Sequence, residues 1–137
     1  MVTKEVAEAV VLVKGKSSSP EYKQLTKAIT DDIPDVMVLR VTNPFDALVL
    51  LHSSLKQESS VANRVSKLIS KDYVHHTNTF YIEETNGMKL PEEKPPGYIF
   101  VKMKDNANAH LLVPYYRELS DVSDAAVISG RYDILIQ

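Results

Sequence analysis

The chain of 137 residues has no cysteine. That absence excludes disulfides, thiolate nucleophiles, Cys-type zinc sites and iron–sulfur clusters, and it fits a reducing compartment. A basic surplus is missing as well, because 16 Lys and Arg stand against 18 Asp and Glu, a net charge of −2. Duplex DNA binders draw much of their affinity from phosphate neutralisation, so no direct nucleic-acid partner is expected. Long apolar runs are also lacking. Even an uncharged one as long as any in the chain, Ala47-Leu48-Val49-Leu50-Leu51, is far short of the roughly 20 residues that a membrane span needs. The first residues, Met1 to Glu8, carry acids where a signal peptide has its basic region. A cytoplasmic protein without a membrane partner is the expectation.

Signatures of chemistry are equally sparse. No G-x-S-x-G, P-loop, H-E-x-x-H or dinucleotide fingerprint occurs, so neither catalysis nor a cofactor is expected. His75 and His76 are adjacent and face opposite sides of a strand, while His52 and His110 lack ligand-spaced neighbours, so no metal site is expected.

What the chain does contain is ordinary globular material, 44% hydrophobic and 25% charged. Three of its seven prolines (Pro91, Pro95 and Pro96) fall in the polar stretch 84–97, together with Asn-Gly and Pro-Pro-Gly breakers. That stretch reads as a linker between a module over residues 1–83 and a shorter one over 98–137.

In the first module, Ala9-Val10-Val11-Leu12-Val13 reads as a buried strand. A helix is expected to follow, with Ser19 as N-cap and Pro20 in its first position, burying Tyr22, Leu25, Ala28 and Ile29. Strands are expected over 36–41 and 47–51. A second helix has Val61, Val65, Leu68 and Ile69 on its apolar face, and Arg64, Lys67 and Lys71 as a solvated basic stripe near its end. A last strand runs over 73–82. The order βαββαβ is that of a ferredoxin-like α+β unit, an antiparallel sheet with both helices on one face. The other face is left bare unless a companion sheet covers it, as in dimeric α/β barrels. Burying ~600 Å² of apolar sheet there is worth about 15 kcal/mol before association costs.

The second module reads as a strand over 98–104, a helix with Leu111, Tyr115 and Leu119 at i, i+4 and i+8 interrupted by Pro114, then two strands. It holds a hidden repeat. Val41-Thr42-Asn43-Pro44-Phe45-Asp46-Ala47-Leu48-Val49 aligns without gaps on Ile128-Ser129-Gly130-Arg131-Tyr132-Asp133-Ile134-Leu135-Ile136. Each copy reads aliphatic, hydroxyl, turn former, any residue, aromatic, Asp, then three apolar positions. Both copies fall at the junction of the second and third strands of a βαββ order, which argues for a duplicated module whose second copy lacks a helix and a strand.

These residues resemble the effector-binding (RAM) domain of the Lrp/AsnC regulators. Ser129-Gly130-Arg131-Tyr132-Asp133 is similar to that family's Gly-x-aromatic-Asp turn, Asn43-Pro44-Phe45-Asp46 is a variant of it, and Thr77-Asn78-Thr79 resembles its closing strand. The resemblance implies a homodimer or higher oligomer and a small effector, commonly an amino acid, bound between subunits near these turns. The residues before Ala9 are too few for a helix–turn–helix, so any role at DNA is expected to run through a DNA-binding regulator as partner. The expected ligand-binding residues are Asn43, Phe45, Asp46, Thr77, Thr79, Gly130, Tyr132 and Asp133. The bland alternatives are that the two Asp residues cap their own turns and that the threonines are simply good strand formers. Two other functions compete: an assembly module without a ligand, and a small dimeric-barrel enzyme of the cofactor-free monooxygenase type.

Overall fold

A computed structural model describes residues 6–42, 44–52, 60–83, 88–90, 97–104 and 109–137. In chain order they form β1 (Val6–Gly15), a 3-10 turn (Tyr22–Gln24), α1 (Leu25–Asp32), β2 (Val36–Arg40), β3 (Ala47–His52), α2 (Val61–Ile69) and β4 (Val74–Ile82). There follow β5 (Met88–Lys89), β6 (Ile99–Val101), α3 (Ala109–Arg117), β7 (Ala125–Ser129) and β8 (Ile134–Ile136). The fold is mixed α and β. Strands pair in the order β2-β3-β1-β4-β7-β8-β6, with β5 on β1. Two compact units emerge, one of Ala9–Thr79 and the other of Phe80–Gln137 with the start of β1.

In the first unit, Ala9, Val11 and Val13 of β1 and Ala47, Val49 and Leu51 of β3 pack under Leu25, Ile29 and Ile33 from α1 and Val65 and Leu68 from α2. The inner strands β1 and β3 read as nearly unbroken apolar runs because their opposite faces are buried too. Val10, Leu48 and Leu50 have almost no exposure, and in the second unit the same is true of Ala126, Ile128 and Leu135. The sheet face expected from the sequence to be bare therefore holds residues with almost no exposure.

Three local expectations also change. Ser19 does not cap α1. Its hydroxyl donates to the Lys16 carbonyl at 2.9 Å and builds a turn, so the helix starts at Leu25 without a side-chain cap. Arg64 is not solvated. It shares the buried face of α2 with Val65 and Leu68, while Ile69 turns to solvent. Its Nη1 donates to the carbonyls of Asp35 at 2.9 Å, His52 at 3.1 Å and Pro34 at 3.4 Å, tying the start of β2 and the end of β3 to the helix. Asp35 adopts a left-handed φ of 57°, which non-glycine residues rarely do. The stretch 84–97 is not all linker, since Met88 and Lys89 pair with Ala7 and Val6 and Met88 is fully buried.

In the second unit, Ala109 and Val113 of α3 pack on Ala125, Val127, Ile134 and Ile136. The helix carries Pro114 inside it. Leu111, Tyr115 and Leu119, expected as its apolar face, are instead its exposed side.

The sequence repeat has a counterpart in the strand pairing. Within the first unit β2, β3 and β1 lie in that order, and within the second β7, β8 and β6 repeat it. The registers agree as well. Arg40 pairs with Ala47 and Leu39 with Leu48, while Val127 pairs with Ile134 and Ala126 with Leu135, the partners that the sequence repeat dictates.

Candidate ligand-binding cleft

Each module bends at an aspartate, and the two bends use the same bonds. Asp46 donates its backbone N–H to the Val13 carbonyl at 2.9 Å and accepts from Val41 N–H at 3.1 Å. Asp133 donates to Val101 at 2.8 Å and accepts from Ile128 at 3.0 Å. The side chains act alike: Asp46 Oδ2 accepts the Gly15 N–H at 2.8 Å, and Asp133 Oδ2 accepts the Met103 N–H at 2.9 Å. A lysine from the neighbouring strand attends each, Lys14 at 4.0 Å and Lys102 at 3.8 Å. Among the described residues, the backbone N–H groups that the two carboxylates hold belong to another strand segment. Each aspartate clamps the backbone with a charge-assisted hydrogen bond, Asp46 at the last residue of β1 and Asp133 two residues past the end of β6.

The surroundings differ. Beside Asp46 opens a cleft of about 380 Å³ lined by Tyr22, Lys23, Leu25, Thr26, Arg40, Val41, Thr42 and Asp46. Its position depends on Gly15, where a Cβ would stand 3.0 Å from both Leu25 Cδ2 and Tyr22 Cδ2 and push these lining side chains aside. Leu25 and Val41 supply an apolar surface, Lys23 and Arg40 two cations, and Tyr22, Thr26 and Thr42 three hydroxyls. Among the described residues, Asp46 Oδ1 has the Tyr22 hydroxyl near it, at 3.5 Å, a long contact that leaves acceptor capacity toward the cleft. Convergent polar groups over an apolar patch are what a small-molecule site requires.

The structure spreads the remaining expected residues apart. Asn43 lies outside the described residues. Phe45 stacks on His76 with ring centroids 6.2 Å apart, and Thr77 and Thr79 sit half-buried on β4; none of the three lines the cleft. Gly130 has φ 135°, a conformation that favours glycine at this bend. Tyr132 packs against Phe80 and Phe100 at 6.0 and 5.7 Å, and Asp133 is buried. The site residues that sequence reasoning missed are Tyr22, Lys23, Thr26, Arg40 and Thr42. Arg40 left one signal, a lone charge ending an apolar strand immediately before the repeated motif. Tyr22, expected on the buried face of a helix, stands instead in the 3-10 turn before it.

Among the described residues no cluster of three or more His, Asp or Glu side chains is placed to hold a metal ion, and no helix is long and apolar enough to cross a membrane. Comparison of the chain with models of protein families, with curated proteins and with solved structures gives no match.

Proposed function

We propose that this protein is a non-enzymatic sensor of the Lrp/AsnC effector-domain type, and that it binds a small zwitterion such as an amino acid in the cleft beside Asp46. The finer fold reading belongs with it. Strand order β4-β1-β3-β2, with α1 and α2 packed on one face, supports a ferredoxin-like first module followed by a partial copy. One juxtaposition carries the functional reading: Arg40 and Lys23 share a cleft with Asp46 and an apolar surface. The ligand carboxylate sits on the two cations, where Arg offers a bidentate fork. Its ammonium faces Asp46 Oδ1, and its side chain lies along Leu25 and Val41. Occupancy then stabilises one conformation or assembly over another and alters the grip on a DNA-binding regulator in the cytoplasm.

A second reading has its own observation. Asp133 is buried and Tyr132 packs on Phe80 and Phe100, which suits a purely structural or assembly role for the second module. Thermal-shift and calorimetric titration with the amino acids tests the first reading. At least one is expected to raise Tm saturably, by an amount equivalent to about 2.7 kcal/mol at a hundredfold excess over Kd. Arg40→Ala is expected to weaken that binding at least ~10-fold. If no amino acid moves Tm, the cleft is not an effector site.

A further inference from the structure

Helix α3 presents a surface that the sensor reading leaves unused. Leu111, Tyr115 and Leu119 are 66%, 70% and 55% exposed and recur every four residues along one side, the last in the turn that follows the helix. The buried side of the same helix is separate and complete, formed by Ala109 and Val113 with Leu112 and Tyr116 beside them. A helix that is apolar on both sides normally has both sides covered.

The first module supplies an internal control. Helix α1 lies over β2 as α3 lies over β7, and its inward residues Leu25, Ala28 and Ile29 match Ala109, Leu112 and Val113 in helical phase. In that phase Leu111 corresponds to Lys27 and Tyr115 to Asp31. In α1 those two positions hold a solvent-facing ion pair, with Nζ and Oδ2 2.8 Å apart. One scaffold therefore has two surfaces: where the first module meets water with a salt bridge, the second shows a leucine and a tyrosine.

We infer that this stripe of α3 is the contact surface for a second copy of the chain, which packs its own α3 against it antiparallel about a two-fold axis. The pattern is self-complementary in that arrangement. With the axis near Tyr115, Leu111 meets the partner's Leu119, and the two tyrosines meet each other. Charge follows the same symmetry. Exposed Lys104 precedes the helix in sequence and exposed His110 lies in its first turn, while exposed Arg117, Glu118 and Asp121 lie at and after its end, with Arg117 held by Asp124 Oδ1 at 3.2 Å. An antiparallel pair brings Lys104 toward the partner's acidic Glu118 and Asp121 and opposes the helix dipoles favourably. Three anchors a side make a small interface, well below the ~1,600 Å² of standard ones, so the dimer is reversible. It does not depend on the cleft being occupied.

Sedimentation equilibrium of the full chain over a concentration series, with ligand absent, tests this. Wild type is expected to dimerise reversibly, with Kd on the order of micromolar to a few hundred micromolar. The double variant Leu111→Lys, Tyr115→Asp copies the pair that α1 already carries. It is expected to raise Kd more than ~10-fold with an unchanged melting curve. Leu119→Glu, outside the helix, is expected to do the same and covers the case in which the double variant folds poorly. Glu118→Lys is expected to weaken the dimer, most clearly at low salt. A wild type that stays monomeric up to ~1 mM, beyond the affinity range of specific complexes, overturns the proposal. So does a dimer that persists in both folded variants.

Discussion

The Asp46 and Asp133 corners are built from one plan, and the aspartate of the first is the more exposed. Both aspartates clamp a neighbouring strand through Oδ2, and both have a lysine at about the same distance. Yet the side chain of Asp46 is 26% exposed and that of Asp133 10%. Where the first corner has Arg40, the register puts the buried Val127 in the second. Where the first has Gly15, admitting Tyr22 and Leu25 close by, the second has Met103 packed on its core. The lesson is that the clamp is a property of the fold, whereas the cleft is a property of a few side chains set on it.

That contrast is sharpened most by removing the clamps. Asp133→Ala strands the Met103 N–H in a buried corner and is expected to cost about 2–3 kcal/mol in urea unfolding. Asp46→Ala exposes its orphan to water and is expected to cost about 1 kcal/mol. Equal losses would break the idea that burial separates the corners. Next comes conversion of one corner toward the other. Arg40→Val copies the residue of the second module on an exposed site. Stability is expected to change by no more than about 0.5 kcal/mol, while amino-acid binding is lost. Retained binding with wild-type affinity removes Arg40 from the site.

Titration separates the modules more gently. In the first, the Tyr73 hydroxyl donates to Asp32 at 2.8 Å, and burial, with that carboxylate adding to it, raises its pKa well beyond the usual phenol range. In the second, burial pushes Tyr98, which donates to Gln137 at 2.9 Å, up to about 12. Both shifts favour the neutral phenol in the folded state. Their stabilisation is fully present below pH ~10, the unfolded value, and is lost as pH rises through the folded pKa. Phenolate absorbance during alkaline titration is expected to show Tyr98 ionising near pH 12 and Tyr73 later, with Tyr98→Phe deleting the earlier step. The smallest effects belong to the attendant lysines. Lys14→Met and Lys102→Met are each expected to change stability by less than about 0.5 kcal/mol, since loose, solvent-exposed pairs contribute little.

Much of the fold was legible because the apolar runs are short and punctuated. Ala47 to Leu51 announces an inner strand, and the gapless match of Val41–Val49 to Ile128–Ile136 anticipated a shared register to the residue. Periodicity failed where it was degenerate. Helix α3 carries apolar residues in two phases, and nothing local distinguishes Leu111, Tyr115 and Leu119 from Ala109, Leu112, Val113 and Tyr116. Arg64 was assigned to water by its charge, although its place three residues from Val61 and four from Leu68 puts it on the buried side, where carbonyls from β2 and β3 receive it. The cleft was half legible. Its Asp46 lies in the repeated motif, but Tyr22, Lys23 and Thr26 come from a segment about twenty residues away in sequence that only tertiary packing brings alongside.

Backbone amide NMR of the uniformly labelled protein during titration with an amino acid that raises its Tm is the most direct test of whether the Asp46 corner alone is a binding site. Saturable shifts are expected at Gly15, Tyr22, Thr26, Thr42 and Asp46, with Ile128 through Asp133 silent. Shifts of equal size and equal midpoint at both corners, or at the second alone, would contradict the account.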